Sequence, residues 1–430
     1  MARPPGGGAT VSRRGVLRAA GIGGLSMLAG AACASSGQAT QVAVVWSSVE
    51  LDEFRAVLRG YPHPVEVVSA GDDIDAFLRA RHRAGTSPDV AILSRPGLVT
   101  DYAQRDWLTP LPEKLAGHYA EGWSDLLRHK GVLYGAWVKA AFKSLFWYLP
   151  TVVDAPPSTW DELKDLVGRM GRAGGSTPAP LAVGAADGWV LTDWLENVLA
   201  CLAPPNFYDA LSSGRPRWGE PPVRDSLNLL AELWSLPGAF IGGPGRALLT
   251  QFDESVIEVT SRRAGMVFEA DFVQAYAAPF REPGTPEPQT FRFPSVNGVQ
   301  PLVVGGDAAV VLHGSPRGQD LVQYLVDAQS FEPWIKAGGY LSPNLGVSPD
   351  RYPDTLRRRL AQEMRDAKVL RFDLSDRLVG SFTGADGVGI WRILQDFFRA
   401  VTARNADRAG VIDATTRALN QAARQAGGLP

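Results

Sequence analysis

The chain has 430 residues with 43 basic and 45 acidic side chains, a formal charge of −2, and two cysteines, Cys33 and Cys201. This balance lacks the basic excess that a nucleic-acid partner calls for, and two cysteines cannot supply a disulfide framework. The length exceeds what a single core fills, so two domains are expected.

In chain order, residues 12–33 read SRRGVLRAAGIGGLSMLAGAAC, with Arg13 and Arg14 ahead of an apolar run from Ala19 to Ala32. That run is too short to span a bilayer, which needs roughly 20 residues, and has the layout of an export signal. It resembles a twin-arginine signal, and the small residues before Cys33 resemble a lipoprotein processing site, with Gly30 where such sites usually carry Leu. Residues 1–32 are expected to be a signal peptide, Cys33 the acylated first residue at the outer face of the cell membrane, and 33–40 a small polar tether. Removing 1–32 takes four arginines and no acid, leaving 39 basic against 45 acidic residues.

QVAVVWSS (41–48) reads as a buried strand, VELDEFRAVLRGY as a helix and PHPVEVVSA as a second strand. DDIDAFLRARHRAG is an amphipathic helix, PDVAILS a third strand, and RPGLVTDYAQRDW a further helix. Strands alternating with helices predict an α/β lobe with a doubly wound parallel sheet. GVLYGAWVKAAFKSLFWY (131–148) reads as an extended, hairpin-like segment, and Thr159 with Glu162 as a capping box for the next helix. A mostly helical region follows to about residue 280, then a linker-like stretch at 282–294, a return to strand at PLVVGGDAAVVLHG, and a capped helix in SPRGQDLVQYLVDAQS. The chain therefore leaves one lobe and later returns to it.

PDVAILSRPGLVTDYA, LYGAWVKAAFKSLFWY, PSTWDEL, DGWVLTDWLEN, FRFPSVNG, VVGGDAAVVL, AGGYLSPN and FDLSDRLVGSF, spread from about residue 40 to 385, resemble the family 1 extracellular solute-binding proteins of ABC importers. The resemblance is to the α-glucoside-binding branch. Where that branch often has a Phe-Trp pair, this chain has Ile390 before Trp391, which leaves the exact sugar open. The resemblance implies a two-lobed periplasmic-binding-protein-like (type II) α/β fold with a hinge, closing on its ligand. On this reading lobe 1 is 41–148 plus about 295–345, and lobe 2 is about 149–294 plus 346–430. The implied partners are a carbohydrate and the membrane permease of an ABC importer, the chain being a monomer with no cofactor and no metal.

Candidate ligand contacts follow. Trp46 and Ser48 lie at the carboxyl end of the first strand, where α/β sheets bind ligands, although Trp46 also suits a core. Arg95 follows the third strand and can donate a bidentate bond. Lys139 and Lys143 interrupt an apolar run and must reach water, a carboxylate or a ligand. The resemblance favours Lys139 for the cleft and Trp137 for an adjacent aromatic face. Asp187, Trp189, Asp193 and Trp194 set acids beside indoles, as sugar sites do, with Trp189 and Asp193 the leading contacts. Glu269 and Asp271 can supply acceptors from the second lobe or cap a helix, Tyr340 a stacking or hydroxyl contact, and Asp307 a contact or a hinge brace.

Two other classes fit the same residues. A secreted glycoside hydrolase also needs carboxylates in a cleft, and a sugar-sensing surface protein needs the same binding site without transport. The sequence contains no GxSxG elbow and no HExxH, and its five histidines (His63, His82, His118, His129, His313) have no metal-ligand spacing.

Overall fold

β-Branched runs form the first strands, β1 (Thr40–Val44) and β3 (Val90–Leu93), which are largely buried, and β2 (Val65–Ser69), which lies part-exposed at the sheet edge, with helices Ser48–Leu58 and Ile74–Arg83 between them. The structure is a computed structural model that describes residues 39–427, apart from 72–73, 175–176, 213–216, 278–283, 285, 368–369, 379 and 384–388. The signal peptide, Cys33 and most of the tether lie outside the described residues. Among the described residues, no helix is long and apolar enough to cross a membrane.

The remaining strands are the short pair β4 (Arg128–His129) and β5 (Val132–Leu133), then β6 (Gly135–Phe142), β7 (Leu145–Tyr148), β8 (Ala179–Ala182), β9 (Ala264–Phe268), β10 (Gln289–Arg292), β11 (Leu302–Val311) and β12 (Leu370–Phe372). They build two principal sheets, so the molecule is a two-lobed α/β protein. In the first, β2, β1 and β3 run parallel, as the alternation of strand and helix predicts. The expected all-parallel sheet is nonetheless mixed, because β11 joins β3 and β6 antiparallel and β12 parallel. In the second sheet, of order β10-β7-β9-β8, strand β7 pairs antiparallel with both β9 and β10.

The expected hairpin at 131–148 is therefore not a hairpin. β6 and β7 belong to different sheets, separated only by Lys143 and Ser144. The Ser144 hydroxyl accepts from Val303 N (2.9 Å) and lies 2.6 Å from Asn197 Oδ1, so polar side chains hold the chain where it leaves one sheet for the other. The linker-like stretch contains β10, which pairs with β7, and β12 returns the chain to the first sheet at 370–372. The Thr159–Glu162 capping box forms as read, with Glu162 N donating to Thr159 Oγ1 at 3.3 Å.

Candidate functional site

A cavity of about 240 Å³ opens where the two sheets approach. The first sheet contributes the residues following β1 and β3 (Trp46, Ser47, Glu50, Ser94, Arg95) together with Lys139 and Ala141 of β6 and Gly306 and Asp307 of β11. This is the carboxyl-end position that open α/β sheets reserve for ligands. The other lobe contributes Trp189, Phe252, Phe272, Tyr276, Asp376 and Trp391.

A bulge aims the lysine. Lys139 pairs in register with Asp307 and Trp137 with Ala308, so Val138 is an extra residue and the register shifts at that point. In a regular strand Trp137 and Lys139 would share a face, but the inserted residue separates them. Lys139 enters the cavity, while Trp137 turns into the core, with its Nε1–H donating to Trp123 O at 2.8 Å. The carbonyls of the bulge are satisfied by buried phenols: Tyr119 donates to Trp137 O (2.9 Å) and Tyr340 to Val138 O (2.7 Å). Gly306 permits the approach of these strands, since a Cβ there would lie 2.6 Å from Lys139 O.

Lys139 Nζ donates to Glu50 Oε1 at 2.6 Å and sits 5.0 Å from the centre of the Phe272 ring. Burial opposes its charge, but Glu50, Asp307 and Asp271 outweigh that, so its pKa is raised and it stays an ammonium. Asp307 accepts from Trp46 Nε1 at 2.8 Å, which orients that indole, and burial raises the acid's pKa against the pull of Lys139. On the facing wall Trp189 and Phe252 pack with ring centres 5.5 Å apart, and Phe252 meets Tyr276 at 5.3 Å. Gly188 (φ +73°) fixes the turn into the helix Trp189–Leu202, and a Cβ there would lie 2.8 Å from Trp391 Cβ. Trp391 covers Arg95, whose Cζ lies 5.7 Å from the ring centre.

Lys143, also on the cavity wall, joins a buried acidic group. Its Nζ contacts Asp373 closely, Asp376 at 3.3 Å and Asp193 at 3.6 Å. Burial raises the pKa of Asp193 and Glu196 well above the carboxylate range and that of Asp376 to about 7. Asp373 is also buried, but Lys143 more than compensates and holds it below its ordinary value. Carboxylate oxygens of Asp193, Glu196 and Asp373 lie within 4.8 Å of one another. Lys143 Nζ contacts two of these three, Asp193 and Asp373.

Of the residues expected at the ligand, Trp46, Arg95, Lys139, Trp189 and Asp307 line the cavity. Ser48, Trp137, Asp187, Asp193, Glu269, Asp271 and Tyr340 do not. Each has a different place. Ser48 is exposed at the start of its helix, and its neighbour Ser47 faces the cavity instead. Asp187 accepts from Phe252 N at 2.7 Å, at the start of the helix Phe252–Thr260. Asp193 belongs to the Lys143 cluster. Asp271 accepts from Phe142 N at 2.6 Å and is pushed by burial to about 6. Glu269 is buried and its pKa driven well up, chiefly by that burial. Phe252, Phe272, Tyr276 and Asp376 are cavity residues that the sequence did not single out, and Trp391 entered only as a departure from the expected Phe-Trp pair.

The family described as bacterial extracellular solute-binding protein matches residues 62–330. The osmoprotective compounds-binding protein GgtB of Synechocystis is 30% identical over 350 residues, covering 77% of this chain and 82% of its own. The alpha-glucosides-binding periplasmic protein AglE of Rhizobium meliloti is 28% identical, covering 73% of each chain. Among solved structures, the bacterial solute receptor AcbH, described as preferring β-D-galactopyranose, superposes with a TM-score of 0.74 at 16% identity, covering 90% of this chain and 98% of the receptor. A Thermotoga lettingae solute-binding protein with bound α-D-tagatose superposes at 0.71 and 17% identity, covering 90% of this chain and 100% of its own.

Proposed function

The chain belongs to the bacterial extracellular solute-binding proteins, and we propose that its solute is a compact saccharide, an α-glucoside or other short oligosaccharide, captured between the lobes and handed to an ABC importer. The family is one of binding proteins, so the cleft binds and does not catalyse. One observation carries the saccharide reading: aromatic faces (Trp189, Phe252, Tyr276) and carboxylates (Glu50, Asp307) line one cleft. Flat rings pack against the C–H faces of a pyranose while carboxylates accept from its hydroxyls. The alpha-glucosides for which AglE is named support the same reading. Contacts drawn from both lobes exist together only when the cleft is closed, so ligand favours closure. We take the lobes to divide near residues 143, 293–301 and 373, where the chain passes between sheets.

The proposal extends to the N-terminus, where a twin-arginine signal exports the folded domain and Cys33 is acylated and anchors it beside the permease. Cys33→Ala should move the protein from the membrane fraction to the soluble one. For the ligand, a thermal-shift screen of mono- and oligosaccharides is decisive, because a ligand at 100 times its Kd stabilises the folded state by about 2.7 kcal/mol. A saccharide that raises Tm by several degrees is the expected result. A shift produced only by peptides, polyamines or inorganic anions contradicts the proposal.

A further inference from the structure

We propose that the bound saccharide is acidic and that its carboxylate is held by Arg95; this rests on the reading of the cleft as a saccharide site. Arg95 stands between β3 and the helix Pro96–Gln104, lines the cavity and is only 3% exposed. Neither of its terminal nitrogens has a hydrogen-bond partner among the described residues. The other two cations of the cavity wall are already engaged: Lys139 by Glu50 at 2.6 Å, and Lys143 by Asp373 and by Asp376 at 3.3 Å. Trp391, whose ring centre lies 5.7 Å from Arg95 Cζ, also has a buried indole N–H without a hydrogen-bond partner among the described residues.

This part of the wall thus holds donors that no acceptor among the described residues engages by a hydrogen bond, although the Asp376 carboxylate on the same wall attracts Arg95 through space. Guanidinium and indole donate only. A buried guanidinium whose donors are left unbonded is costly, so the group that meets Arg95 must bring lone pairs. A sugar hydroxyl brings a proton as well and matches one nitrogen at a time. A carboxylate brings two coplanar acceptors that fit the guanidinium fork, and the bond is charge-assisted. Glu50 and Asp307, elsewhere on the wall, are acceptors suited to hydroxyls. The complementary ligand is polyhydroxylated over most of its surface and carries one carboxylate. At about 240 Å³ the cavity is smaller than the roughly 300–1,000 Å³ usual for drug-sized ligands. That size favours a uronic acid glycoside or a glycoside of a small hydroxy acid over a long acidic chain.

The test is calorimetric titration of the exported protein with two matched pairs: methyl α-D-glucopyranosiduronic acid against methyl α-D-glucopyranoside, and α-D-glucosylglycerate against α-D-glucosylglycerol. At least one acid should bind tenfold or more tightly than its neutral partner, about the worth of a charge-assisted hydrogen bond. Arg95→Gln should reduce that preference to near unity, and Arg95→Lys, which keeps charge but not the planar fork, should lose most of it. If Arg95→Gln fails to fold, the wild-type comparison over both pairs decides. Neutral members binding as well as or better than the acids overturns the proposal, as does an acid preference that survives Arg95→Gln. Binding of neutral oligosaccharides alone overturns it while leaving the saccharide function standing. Binding of no saccharide, acidic or neutral, overturns both.

Discussion

Replacing Lys143 by Met removes the ammonium that contacts Asp193, Asp373 and Asp376 in this buried cluster while nearly preserving volume. The Lys143 side chain is 11% exposed and that of Asp373 not at all, so water cannot take over the lost interaction. Breaking a buried ion pair by deleting one partner costs about 3–5 kcal/mol, because the remaining charge is stranded. Against a typical total stability of about 5–15 kcal/mol this is severe. At about 2 °C per kcal/mol for a chain of this length, Tm should fall by roughly 6–10 °C at pH 8. The loss should be smaller at pH 5.5, where the orphaned carboxylate can take up a proton instead of remaining charged. Adding Asp373→Asn should recover most of the deficit, since the amide still accepts from Asp376 N, which donates to Asp373 Oδ1 at 2.9 Å. Thermal unfolding by circular dichroism at the two pH values measures all three. A Lys143→Met variant within 2 °C of wild type at pH 8 would refute the view that this ammonium compensates the cluster.

Lys139→Met should weaken saccharide binding about tenfold or more, read by calorimetry, because Glu50 loses its charged partner, keeping the bond from Tyr276 Oη, and the ligand loses a charged donor. Tyr340→Phe should leave the cavity lining chemically intact yet lower stability by about 1–3 kcal/mol in denaturant titration, since Val138 O in the bulge is left without its donor. Stability should decline as pH rises from 5 to 7.5. Asp376, raised to about 7, and Asp271, raised to about 6, bind protons in the folded state that they have released in the unfolded state. Their contribution is complete below the unfolded carboxylate range and is lost as pH passes their folded values, by up to about 1.4 kcal/mol per pH unit for each group. Asp376→Asn should flatten that slope.

The local structure was largely readable where a short window contains its own cause. β1, β2 and β3 follow from β-branched runs, and the helix Trp160–Ala173 from Thr159 and Glu162. The two lysines that break the apolar run at 135–148 call for partners from the sequence alone, and Lys139 finds Glu50 while Lys143 finds three aspartates. What the window could not contain is the bulge at Val138, which depends on β11 more than 160 residues later. Without it, strand alternation places Trp137 beside Lys139, and Tyr340 remains an aromatic without an assigned partner. Acids near a cleft are equally ambiguous: Asp187 and Asp271 satisfy backbone N–H groups, while Asp307, with similar neighbours in sequence, faces the cavity. Phe252, Phe272 and Tyr276 read as ordinary apolar positions of short helical segments. Only the approach of the second lobe makes them a wall.

The aromatic face of Trp189 is where a saccharide site between the lobes is tested most directly. Calorimetric titration of the wild type with the saccharide found by screening should give one saturable site of micromolar or tighter affinity, with the saccharide recovered intact. Trp189→Ala, folded and with its unliganded Tm near that of wild type, should bind about tenfold more weakly. Unchanged affinity in that variant, or release of reducing ends from the saccharide, contradicts a binding site between the lobes.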